Sequence, residues 1–151
     1  MLVNTLIGAC IPLLICLLLY KRNPQIIVAM YPFGVAVAFL ANDWGFTHFW
    51  MVTPYKEPDS ISAMPFNLGY FPLMSCLIIV VKYKLLWKSI YLILLFTTIG
   101  TCLEGFGVLV GKIIYLDGWN IFYTSLIYFS SFTLAILYSK VLMRYHMLPK
   151  I

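Results

Sequence analysis

Five stretches of the chain are apolar for long enough to cross a bilayer, and this pattern constrains the fold more than any other feature. A spanning helix needs about 20 mostly apolar residues, because the hydrocarbon is about 30 Å thick and a helix rises about 1.5 Å per residue. The stretches cover residues 2–20, 25–41, 65–81, 85–111 and 119–143. The first stops against Lys21-Arg22-Asn23-Pro24, and Pro32 predicts a kink in the second. Only 10% of the 151 residues are charged while 63% are hydrophobic. A soluble globule cannot cover that much apolar side chain with so few charges. The expected fold class is therefore all-α, one integral membrane helical bundle over residues 1–151, with the lipid bilayer as solvent. The same arithmetic excludes a disordered chain, a disulfide-stapled secreted mini-protein and a nucleic-acid-binding module.

The basic residues set the orientation. Lys21 and Arg22, then Lys82, Lys84 and Lys88, then Lys140, Arg144 and Lys150 fall on one side of the five spans, leaving Lys56 and Lys112 on the other. The positive-inside rule puts that majority in the cytoplasm, so the N-terminus is expected outside and the C-terminus cytoplasmic. All five acids, Asp43, Glu57, Asp59, Glu104 and Asp117, then lie at or toward the outer face. The first span lacks a basic region before it, so it reads as a retained helix and not a signal peptide. The connection 42–64, rich in Trp, Phe and Pro, reads as an interfacial segment at headgroup level.

Glu104 is the most informative single residue. Sixteen positions beyond Lys88 place it about 24 Å along its helix, inside the outer part of the hydrocarbon, where a carboxylate is costly unless paired, protonated or facing a wet cavity. Gly100, Gly107 and Gly111 share its helix face, which points to a close helix contact and, through Gly107/Gly111, to a homo-oligomer interface. Glu104 is then either a lock between helices or a functional acid. Asp43, about 27 Å along the second span, is its natural companion if those helices meet, since paired carboxyls suit acid–base work. Alternatively, Asp43 simply sits in water at the segment's edge.

His48 follows in the run DWGFTHFWMVTP but has no ligand-spaced partner. Cys10, Cys16, Cys76 and Cys102 are isolated within spans and read as packing residues, so no metal and no cofactor is expected. Asn120, Thr124, Tyr128 and Ser131 lie on one face of the last helix. Asp43, Glu104 and Asn120, with His48 beside them, roofed by Trp44, Trp50 and Trp119 and flanked by Tyr123, outline one candidate pocket in the outer leaflet.

The stretch LEGFGVLVGKIIYLDGWNIFYTSLIYF resembles a family of small, uncharacterised multi-pass membrane proteins of spore-forming bacilli and clostridia. The likeness rests on the intramembrane acid Glu104, a glycine-containing helix end, Tyr115, and Trp119-Asn120 opening the last span. Asp43 followed by an aromatic, proline-containing segment is similar as well. The resemblance implies a bacterial plasma membrane and five spans, and transfers no mechanism. Three functions follow from the residues: binding of a lipid, small molecule or partner helix; an intramembrane enzyme acting on a lipid or isoprenoid with Glu104 and Asp43 as acid and base; and a subunit of a proton- or cation-coupled transporter. The run Ile90 to Phe96 below Glu104 offers no polar route and weakens the third.

Overall fold

The computed structural model describes residues 1–46, 48–54 and 60–149. Five helices are long and apolar enough to cross a membrane: α1 (Leu2–Tyr20), α2 (Pro24–Phe46), α3 (Ser60–Leu85), α4 (Ser89–Leu109) and α5 (Ile121–Arg144). The all-α expectation needs one addition. Three residues of the α2–α3 connection, β1 (Trp50–Val52), pair antiparallel with three of the α4–α5 connection, β2 (Ile113–Tyr115), in the register Trp50 to Tyr115. Of the connection 42–64, the part to Phe46 continues α2 and the part from Ser60 already belongs to α3, because Pro65 is accommodated inside the helix. Thr47 and the stretch Tyr55 to Asp59 lie outside the described residues.

The central element is α3, which packs on each of the other four helices and is the most buried of the five. The most extensive pairings are those of α3 with α2 and with α1, followed by that of α4 with α5. Side chains such as Met30, Ile78, Ile79, Leu92 and Ala135, all fully buried, fill the half of the bundle nearer the α1–α2 and α3–α4 turns. At that end Lys82 Nζ donates to Ser89 Oγ (2.7 Å), the Tyr83 hydroxyl donates to the Pro149 carbonyl, and Leu148 folds back into the core.

Two helices carry a π-turn, Leu6–Cys10 in α1 and Phe66–Tyr70 in α3, and the two turns pack against one another. Both precede a proline by two residues or fewer: Pro12 and Pro72 have no N–H to give the carbonyls of Gly8 and Leu68, so the regular ladder is interrupted there. The Tyr31 hydroxyl of α2 donates to the Leu68 carbonyl. Gly69 faces the Gly8 carbonyl oxygen so closely that an added Cβ would stand 2.1 Å from it. The Gly69 Cα hydrogen therefore points at that oxygen, a weak hydrogen bond of the kind seen at close helix crossings. The sulfurs of Cys16 and Cys76 meet deeper along the same α1–α3 contact.

Buried amides fasten the opposite end. Asn4 is 1% exposed, and its Nδ2 donates to the carbonyls of Thr53 (2.9 Å) and Ser62 (3.0 Å), tying the start of α1 to the residue that follows β1 and to α3. Thr53 N donates in turn to the Lys112 carbonyl (2.9 Å), and Leu116 N to the Phe49 carbonyl (2.8 Å), prolonging the strand pairing on both sides. The two interhelical connections thus form one hydrogen-bonded cap.

Candidate functional site

Below this cap lies a cavity of about 420 Å³. It is walled by all five helices and roofed by Trp50 and Trp119, and most of its lining is apolar, including Ile7, Val37, Phe71, Met74, Ile127 and Phe132. Its volume falls within the range of about 300–1,000 Å³ usual for small-molecule sites, which are mainly apolar with a few converging polar groups.

Those polar groups gather around Glu104. Its Oε1 accepts from the Tyr115 hydroxyl (3.0 Å) and the Thr124 hydroxyl (3.0 Å). The two hydroxyls lie 2.9 Å apart, and Trp119 Nε1 donates to Thr124 Oγ1 (3.0 Å). Tyr128 and Tyr70 adjoin the same carboxyl, Tyr128 with its ring over Gly100. The Tyr70 hydroxyl is buried beside that of Tyr128 and makes no well-formed hydrogen bond among the described residues. Buried polar atoms are paired in the great majority of cases, so this hydroxyl on the cavity wall is an exception to be explained. Burial pushes the Tyr115 phenol above its ordinary range, and the Glu104 carboxyl adds to the rise against the opposing hydrogen bond with Thr124.

A second polar chain crosses the roof. Trp50 Nε1 can only donate, so the Asn42 atom 3.2 Å from it is Oδ1, and Asn42 Nδ2 must face Asn67, whose Oδ1 it meets. Asn67, 1% exposed, is left with its Nδ2 unpartnered among the described residues. Gly45 lets the Trp50 ring lie flat on α2, since any Cβ there would stand 2.0 Å from the ring. Trp44, Phe49, Trp50 and Trp119 continue as an aromatic cluster with centroids 4.6 to 6.4 Å apart.

The sequence-derived pocket therefore divides. Glu104, Trp50 and Trp119 line the cavity. Asp43 does not: it is exposed on the outer side of α2, while its neighbour Asn42 turns inward. α2 packs on α3 and not on α4, so the helices carrying Asp43 and Glu104 share no packed interface. Asn120 caps α5, its Oδ1 accepting from Phe122 N (3.0 Å) and Tyr123 N (3.4 Å), which takes it out of the cavity wall. His48 and Tyr123 are exposed, and Trp44 reaches the site through its contacts with Trp50 and Trp119. The Gly107 and Gly111 stripe does not continue along a helix. α4 ends at Leu109, Gly111 turns the chain at a φ of +69°, and Ile113 of β2 lies against Gly107.

Tyr70 and Lys112 escape a reading by helical spacing alone, because what brings them to the cavity is the π-turn in α3 and the strand pairing above it, whereas Asn42 arrives on the same face of α2 as Gly34 and Ala38. Thr124 and Tyr128 were legible as members of the polar face of α5. No group of three or more metal-ligating side chains occurs among the described residues. Compared with known protein families, with curated proteins and with solved structures, the chain matches none.

Proposed function

We propose that this chain is a multi-pass protein of the bacterial plasma membrane that holds a lipid or similarly apolar small molecule in its cavity, anchored by the polar cluster at Glu104. The observation that carries the reading is the cavity itself, drug-sized and apolar, with one carboxyl surrounded by hydroxyls at one end. The basic residues of the α1–α2 and α3–α4 turns and of the end of α5 belong to one end of the bundle, and the positive-inside rule places that end in the cytoplasm. The cavity then opens toward the outer leaflet. The likeness to small multi-pass proteins of bacilli and clostridia is in keeping with this address.

Two observations favour binding over the alternatives. Acid–base chemistry on a pair of carboxyls lacks its second member, because Asp43 stands outside the cavity. A transport route is closed on the cytoplasmic side by fully buried Ile78, Ile79 and Leu92. Native mass spectrometry of the protein released from its own membrane in mild detergent tests the proposal. A small molecule retained by the wild type and lost from Glu104→Gln supports it. A ligand-free wild type whose spectrum Glu104→Gln leaves unchanged refutes it.

A further inference from the structure

The side wall of the cavity is incomplete. α1 and α4 share no packed interface among the described residues, although both line the cavity. Val3 and Ile7 of α1, and Leu103, Phe106 and Val110 of the α4 end, border the cavity while each remains about half or more exposed on the outside of the bundle, from 48% for Val3 to 63% for Phe106. An opening with apolar rims on both sides, at the level of the spans, faces hydrocarbon and not water. A helix with its side chains is about 10–12 Å across, so a helix from a second copy does not fit a cavity of about 420 Å³, whereas a single flexible chain does.

The polar end narrows the head of that chain. Glu104 offers an acceptor and the Tyr70 hydroxyl, with no well-formed hydrogen bond among the described residues, offers a donor at the same cavity wall. A hydroxyl satisfies both at once, since it donates and accepts. An ammonium only donates, so it can pair with Glu104 and with the Tyr70 oxygen but gives the Tyr70 O–H proton no acceptor; a phosphate accepts that proton but would set its charge against the Glu104 carboxyl. We infer that the occupant is a long-chain or isoprenoid alcohol that slips in from the bilayer between α1 and α4 and sets its hydroxyl between Glu104 and Tyr70. This inference rests on the binding function proposed above and names its ligand class and its path.

The test uses three probes with one tail: farnesol, farnesylamine and farnesyl monophosphate. Each is added to the full chain in phosphatidylcholine nanodiscs, and binding is followed by tryptophan fluorescence, in which Trp50 and Trp119 at the cavity roof are the residues expected to respond over a constant signal from Trp87. Farnesol is expected to bind at least tenfold tighter than either charged analogue. Tyr70→Phe should weaken farnesol about tenfold and farnesylamine clearly less, a selectivity that general damage to the fold would not give. Ile7→Phe combined with Val110→Phe should slow farnesol association about tenfold, with Leu94→Phe, on the exposed face of α4 away from the opening, as the unaffected control. A charged analogue binding as tightly as farnesol overturns the head assignment. Association unchanged by the rim substitutions overturns the path. If farnesol does not bind while native mass spectrometry still shows a retained molecule, this inference fails alone; if nothing is retained either, the binding function fails with it.

Discussion

Replacing Gly69 by alanine tests the crossing on which the geometry of α3 depends. The new Cβ would stand 2.1 Å from the Gly8 carbonyl oxygen and 2.7 Å from Ala9 Cα, where ordinary contact begins at 3.4 Å. Both obstructing atoms are backbone, so no rotamer change relieves them, and α1 must move away from α3 by about 1 Å. Overpacking of this kind costs about 1–3 kcal/mol, and a backbone obstruction belongs at the upper end. Exchange of glycine for alanine in a helix returns about 0.5–1 kcal/mol, so the net loss is about 2 kcal/mol. Gly105→Ala is the matched control: its nearest neighbour, Ile121 Cδ1, lies at 3.5 Å, and the same propensity gain applies without a clash. Reversible unfolding in mixed detergent micelles, followed by tryptophan fluorescence, should separate the two variants by about 3 kcal/mol. In thermal melts Gly69→Ala should fall by about 4–8 °C. Equal stability of the two variants would refute the close crossing of α1 and α3 at their π-turns.

Three further outcomes follow from local structure. Asn120→Ala removes the only side-chain cap on α5 and should cost about 1 kcal/mol in the same unfolding assay, without loss of any ligand retained by the wild type. N-ethylmaleimide, which partitions into the micelle, should modify the outward-facing Cys10 and Cys102 before the buried Cys16 and Cys76, which react only after denaturation, and all more slowly than a thiol in water because hydrocarbon disfavours the thiolate. Tyr115 should stay neutral where exposed tyrosines ionise. Its folded phenol titrates above the unfolded value of about 10, so stability falls as pH rises past about 10, and Tyr115→Phe should leave the ultraviolet ionisation amplitude near pH 10 unchanged.

The helices were legible because a spanning segment must satisfy every backbone group internally and be apolar throughout, which leaves a one-dimensional signal. Glu104 was legible for the complementary reason, as a carboxylate in the wrong solvent, and Trp50 and Trp119 as aromatics near it. Asp43 was misleading because depth along a helix says nothing about rotation: one position decides whether Asn42 or Asp43 faces inward, and the packing of Gly34 against Pro72 and Ser75 of α3 turns Asn42 in. Asn120 looked like a pocket residue from its depth, but the first free N–H groups of α5 claim its side chain. The π-turns and the strand pair leave almost no trace in composition. Pro12 and Pro72 mark where a ladder breaks without saying how it is repaired, and Trp50–Val52 and Ile113–Tyr115 are too short and too far apart to be matched by pattern.

That separation has a consequence for how the protein is made. Val52 and Ile113 are partners, so 60 residues must be synthesised between one strand and the other. At about 5–20 residues per second, the first strand waits about 3–12 seconds for its mate, with its backbone groups unpaired. Within that interval α3 is completed beside α1 and α2, bringing Ser62, the second acceptor of Asn4, while the roof over them is half built. Biogenesis of this bundle therefore passes through an obligatory open intermediate, and the arrival of the last hairpin closes the cavity at the same moment as it completes the chain's only sheet among the described residues.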